Sequence, residues 1–282
     1  HHDVVVDAPR LPRVDETLPG SGVDYRFGGK GGNQALAAAR MGARVAMAGR
    51  VGSDAAGETL LATLDAAGIT FDQVTTVHRP TGMSVAITLP DGTYGAVIVS
   101  GANLDNDGRI ENSTSPDILL IQNEIPECAN LAAVAAAEED CRVIWNAAPA
   151  RPLDTQLAAR TDLLVVNRVE ARDLTDLDDP AQTATELRGR IKGAAIVTLG
   201  AGGAILADEE GTRHFPAFPV DPVSTHGAGD MCVGALAARW TAGDALDEAL
   251  AFAQAAAALF VAAPIEERQG ITPDDVKALL DS

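Results

Sequence analysis

From residue 117 onward, short apolar runs alternate with longer alanine-rich stretches. The runs predict strands at 118–122, 142–146, 162–167 and 194–199, and the stretches predict helices at 130–138, 170–174 and 181–190. Runs at 204–208 and 212–218 read as a hairpin. Two alanine-rich helices follow at 228–242 and 244–262, and a last helix at 273–281. Short buried strands alternating with helices imply a mostly parallel sheet covered on both faces, an α/β fold.

The first hundred residues follow a different pattern. Residues 3–27 alternate weakly and carry Pro9, Pro12 and Pro19, which predicts short strands with turns. A glycine loop from residue 28 runs into a helix at 34–40. A strand follows at 44–51, then a helix at 54–67 ended by Gly68. Runs at 82–89 and 94–100 flank Pro90-Asp-Gly-Thr93, an Asp-Gly hairpin signal. These hairpin-like strands do not fit the later alternation and are expected to form a small separate sheet.

Composition narrows the function classes. The chain has 282 residues and 46% hydrophobic content, enough for one large α/β domain. A net charge of −19, with lysines only at 30, 192 and 277, disfavours nucleic acid and anionic membranes. No run of about 18 uncharged apolar residues predicts a membrane span. The start, His1-His2-Asp3, does not read as a signal peptide. Cys128, Cys141 and Cys232 lack metal or redox spacing, which implies reduced thiols and a cytoplasmic location.

Five segments carry candidate chemistry. Ser224-Thr-His-Gly-Ala-Gly-Asp230 places a glycine loop at a helix start, where free N–H groups form an anion pocket beside the Asp230 carboxylate. An anion hole beside a base is what phosphoryl transfer to a hydroxyl requires. The plain alternative is a helix cap, and Cys232 reads as packing. Gly28-Gly-Lys-Gly-Gly-Asn33 allows close backbone approach to a ligand, or is an ordinary turn; it lacks Walker A spacing. Asn167-Arg-Val-Glu170 lies beyond a strand's carboxyl end, as oxygen ligands for a hydrated magnesium ion or as cap residues. Thr198-Leu-Gly-Ala-Gly-Gly203 lines a nucleotide or makes a tight turn. Glu124 is a site carboxylate or a surface one.

In this order, these segments resemble the ribokinase family of sugar kinases, also called the phosphofructokinase-B type. Gly101-Ala-Asn103, Gln122-Asn-Glu124 and Asn146-Ala-Ala-Pro-Ala-Arg151 fall where that family carries similar residues. The likeness spans essentially the whole chain. It implies a three-layer α/β/α sandwich in a single domain, residues 1–282. A small β-sheet lid would be built within 4–27 and 82–100 and would mediate a homodimer. The implied reaction is ATP- and magnesium-dependent phosphorylation of a primary sugar hydroxyl, with ribose favoured by the glycine loop. Another sugar, a nucleoside, or a non-catalytic sensor role are the alternatives.

By motif, the resemblance makes Asp230 the base and gives Gly227, Ala228 and Gly229 the anion hole. Asp3, Gly29, Lys30, Gly31, Gly32, Asn33, Glu124 and Asp230 would hold the sugar. Asn167, Thr198, Leu199, Gly200, Ala201, Gly202, Gly203, Gly229 and Gln254 would bind ATP. Glu170 would reach magnesium through water. Three departures stand out. The family's first central strand, before the aspartate that Asp3 matches, is missing from this sequence, which reads as an omission. Ser224 and His226 fall where the family places monovalent-cation groups, and Ser224 lacks the usual carboxylate. The following cation loop is replaced by Ala262-Ala-Pro-Ile-Glu-Glu-Arg268. Together the last two imply weak or absent potassium activation. His226 itself reads as a phosphate contact or a packed loop residue.

Overall fold

The computed structural model describes residues 1–90, 93–110 and 115–282. Its largest sheet has six strands in the order β12-β11-β10-β9-β8-β7, comprising β7 (Ile118–Gln122), β8 (Arg142–Asn146), β9 (Thr161–Asn167), β10 (Ala194–Thr198), β11 (Ala204–Asp208) and β12 (Gly211–Phe215). Strands β7 to β10 pair in parallel, and β11 and β12 add an antiparallel edge.

The strand sequences explain the layers. Side chains alternate across a strand, and in β9 and β10 both sets are apolar. Leu163, Val165 and Ile196 face one side with α1 (Lys30–Arg40), α7 (Ala228–Thr241), α8 (Leu246–Ala262) and α9 (Pro273–Leu280). Leu164, Val166 and Val197 face the other with α3 (Glu127–Ala136), α4 (Thr155–Arg160), α5 (Arg168–Thr175) and α6 (Pro180–Gly189). The result is three layers, each interface closed by fully buried side chains such as Ile144 and Trp145. Each large apolar side chain so buried contributes about 1.5–3 kcal/mol relative to exposure.

A four-stranded sheet, order β2-β1-β5-β6, stands apart as expected. It contains β1 (His2–Asp7), β2 (Gly22–Phe27), β5 (Met83–Thr88) and β6 (Tyr94–Val99). The expected Asp91-Gly92 turn lies outside the described residues, but the strands it joins pair antiparallel. β3 (Ala46–Gly52) and β4 (Thr70–Val77) form a separate parallel pair against α2 (Ala55–Ala66).

Several elements differ from expectation. α1 starts at Lys30 rather than residue 34, so its first turn consists of the glycine loop itself. β4 and α4 were not foreseen: β4 is largely polar and α4 has only six residues. α3 starts earlier, at Glu127.

One helix contact sets the geometry of the site. At Gly234 in α7, an added Cβ would lie 2.4 Å from the Gln34 carbonyl oxygen and 2.6 Å from Ala37 Cβ. Only glycine lets α1 and α7 approach this closely. Their N-terminal turns therefore meet, and these turns carry Asn33, Gln34 and Asp230.

Candidate active site

Asp230 lies in the first turn of α7, which Gly227 opens in the left-handed region at φ 81°. Two amides of α1 hold its carboxylate. Gln34 Nε2 donates to Oδ1 at 3.0 Å, and Asn33 Nδ2 donates to Oδ2 at 3.2 Å. Gln34 is wholly buried, and both its N–H donors and its carbonyl oxygen are bonded. It also donates to Asn146 Oδ1 at 2.8 Å and accepts from Gln122 Nε2 at 2.7 Å. Asn146 in turn donates to the Val165 carbonyl. A chain of amides thus runs from the carboxyl ends of β7 and β8 to Asp230 and fixes its rotamer. Sequence reading assigns neither Gln34 nor Asn146 a role at the site, although Gln34 directly follows the glycine motif.

Burial pushes the Asp230 carboxyl above its usual range, and the Lys30 charge and the two amide donors oppose that shift. Glu124 is also raised by burial, with the Lys30 N–H bonded to its Oε2 at 2.6 Å acting against it. Glu170 is raised by burial as well, offset by the Asn167 N–H and Lys30 and reinforced by Asp230. Lys30, at the start of α1, is thus the shared cation of three carboxylates brought from α7, α5 and the turn after β7.

Asp3 is 8% exposed and accepts from Ser84 Oγ at 2.7 Å. A Cβ on Gly28 would lie 2.2 Å from the Asp3 carboxylate, so the glycine permits that packing. Gly29 caps α1 at φ 83°, and Gly31 and Gly32 follow in its first turn. At α7, the Ala228 N–H turns to Thr225 O at 3.2 Å, while among the described residues no acceptor meets the N–H of Gly229 or Asp230.

Asn167 and Glu170 form a full capping box on α5, so the plain reading holds while Glu170 also faces Lys30 and Asp230. Thr198 ends β10, and Gly200, Ala201 and Gly202 make an exposed 3-10 turn. Gly203 is demanded by the fold, since a Cβ there would lie 2.0 Å from Phe215 O. Gln254 is 9% exposed, and its Nε2 has no partner among the described residues. Burial drives the Cys232 thiol up to about 12, which fits packing rather than nucleophilic work. His226 is exposed.

The pfkB family carbohydrate kinase model matches residues 3–264. The chain belongs to that family. Among curated relatives, the ribokinase of Bacillus subtilis (strain 168) is 35% identical over 265 residues, covering 92% of this chain and 89% of its own length. Among solved structures, the ribokinase of Thermotoga maritima superposes with a TM-score of 0.91 at 29% identity, covering 100% of this chain and 96% of its own. The ribokinase of Arabidopsis thaliana, solved with ribose and ATP, gives a TM-score of 0.88 at 28% identity, with 100% and 96% covered. This pfkB-family chain is therefore an ATP-dependent carbohydrate kinase, and its three-layer fold with a small sheet is the ribokinase-like one.

Proposed function

We propose that this kinase transfers the γ-phosphoryl group of ATP to the primary hydroxyl of D-ribose, giving ribose 5-phosphate. The observation that carries the reading is the Asp230 carboxylate, held by Asn33 and Gln34 beside the free N–H groups at the start of α7. The 35% identity to a ribokinase supports ribose as the sugar.

In this account, Asp230 accepts the hydroxyl proton as the sugar oxygen forms its bond to the γ-phosphorus. The bond from that phosphorus to the β-phosphate oxygen breaks, and ADP leaves. The raised Asp230 pKa makes it a stronger base, and the amide clamp holds it at one angle. The free N–H groups of Gly227 and Gly229 meet the charge that develops on the phosphoryl oxygens, while that of Ala228 is turned to Thr225 O. Positioning and electrostatics supply most of the rate in such reactions.

Asp3, Gly29 to Asn33 and Glu124 bind the sugar in this reading. Asn167, Thr198 to Gly203, Gly229 and Gln254 lie on the nucleotide side. The unpartnered Gln254 Nε2 supports a ligand there, since a buried unmet donor costs about 1–3 kcal/mol. No cluster of three His, Cys, Asp or Glu able to hold a metal occurs among the described residues. A lone Glu170 fits magnesium, which keeps its waters and is carried largely by substrate phosphates. When bound, the ion neutralises phosphate charge, and Glu170 would hold it through water.

The small sheet serves as a lid and a dimer surface. Asp3 and Ser84 lie on one face of it, and the other exposes Tyr25, Val85 and Val97, which are cross-strand neighbours in register with Val4. Such an apolar face suits a second copy of the chain. No described helix is long and apolar enough to cross a membrane. The use of ATP and the free thiols fit the cytoplasm.

The test is ADP release from ATP and magnesium against a panel of pentoses, hexoses and nucleosides. Ribose is expected to give the highest kcat/KM. Turnover of a nucleoside but not ribose contradicts the substrate, and no turnover at all contradicts the reading.

A further inference from the structure

Arg268 sits in the 3-10 turn Ile265–Gly270 after α8, yet it is only 7% exposed. Its guanidinium gathers three backbone carbonyls. Nη2 donates to Ser224 O at 2.7 Å, Nη1 to His226 O at 3.2 Å and Nε to Ala263 O at 3.3 Å. It stacks over the Phe260 ring at 4.4 Å, and that same ring lies against Gly227, where a Cβ would fall 3.3 Å from Cε1. The Val223 and Ser224 N–H groups close the junction by bonding Val261 O.

Each of the three carbonyl oxygens meets a different nitrogen of one guanidinium, so a single positive charge holds all of them. An arginine supplies a permanent charge and a rigid fan of donors. No carboxylate on the 224–226 segment assists, since Ser224 is neutral. The peptide plane transmits the effect. In a trans peptide, C=O and N–H point in opposite directions, so holding His226 O toward Arg268 turns the Gly227 N–H away from it.

We propose that Arg268 is a positioning residue: its guanidinium is a built-in cation that holds the loop entering α7 in its anion-binding form. The kinase therefore needs no monovalent ion for this task. The inference rests on the reading of Gly227 to Gly229 as the anion hole.

The test compares the parent, Arg268→Ala and Arg268→Lys in ribose phosphorylation, with tetramethylammonium as the only monovalent cation. The parent is expected to change less than about twofold on adding potassium. Arg268→Ala is expected to lose about tenfold to a hundredfold in kcat, with ribose KM little changed. Added guanidinium or potassium ions then restore part of that loss by entering the vacated carbonyl cage. Arg268→Lys, which keeps a charge, loses less and serves for the comparison if Arg268→Ala does not fold. A parent activated severalfold by potassium overturns the inference. So does an Arg268→Ala enzyme at the parent rate, or one whose loss neither ion relieves. A parent that phosphorylates no sugar instead removes the functional reading on which the inference stands.

Discussion

Gln34 Nε2 donates to Asp230 Oδ1 at 3.0 Å from a side chain with no exposure to solvent. Its other donor and its acceptor are engaged by Asn146 and Gln122. The base is therefore held by a network anchored in the sheet. Replacing Gln34 by Met removes the bond to Asp230 and leaves the Gln122 and Asn146 groups unpaired. The expected cost is about 1–3 kcal/mol of stability. A donor to the carboxylate favours its charged form, so its loss raises the Asp230 pKa further. The acidic limb of the kcat–pH profile of Gln34→Met should move to higher pH.

The same raised pKa has a consequence for stability. Because the folded pKa of Asp230 lies above its unfolded value, its contribution favours folding below the unfolded pKa. That contribution is lost as pH rises through the folded pKa. Asp230→Asn removes a charge that is costly to enclose. The melting temperature of Asp230→Asn should exceed that of the parent near neutral pH, with each kcal/mol giving about 2–4 °C. The difference should shrink toward about pH 4, where the unfolded carboxyl protonates. Thermal melts across pH check both signs.

Gly234 is where α1 and α7 touch, with the Gln34 carbonyl 2.4 Å from a hypothetical Cβ. Gly234→Val wedges the helices apart at the point that brings Asn33 and Gln34 to Asp230. Denaturant unfolding should show a loss of about 1–3 kcal/mol. Turnover of the folded fraction should fall as well, since the clamp on the base loosens.

Gly28→Ala addresses the sugar side alone. The added methyl would fall 2.2 Å from the Asp3 carboxylate. Steady-state kinetics should show ribose KM rising about tenfold or more, with kcat less affected, as for a change in ground-state binding.

How legible all this was in the sequence depended on how local each signal is. The stretches 118–122 and 194–198 announce buried strands because both their faces are apolar. β4 reads Thr-Phe-Asp-Gln-Val-Thr-Thr-Val, pairs with β3 in a two-stranded sheet and is half covered, so its pattern is weak. Asp230, Lys30 and Asn33 sit in glycine-rich loops opening helices, where chain conformation alone suggests a ligand. Gln34 and Asn146 gain a role only through tertiary contact 112 residues apart. The missing carboxylate at Ser224 is visible in the sequence, but the Arg268 guanidinium that bonds the Ser224 carbonyl from 44 residues onward is not. No local rule links an arginine to the carbonyls of a distant loop.

The central claim is that Asp230 removes the proton from the sugar hydroxyl as ATP donates its phosphoryl group. Its most direct test is the steady-state phosphorylation of ribose by the parent and by Asp230→Asn, with ATP and magnesium saturating. Asparagine keeps the shape and can still meet the Gln34 donor, but it has no basic oxygen at neutral pH. The account predicts a kcat lower by about 10²–10⁴-fold, with ribose KM within a few-fold of the parent. A folded Asp230→Asn enzyme retaining a kcat close to the parent's would contradict it.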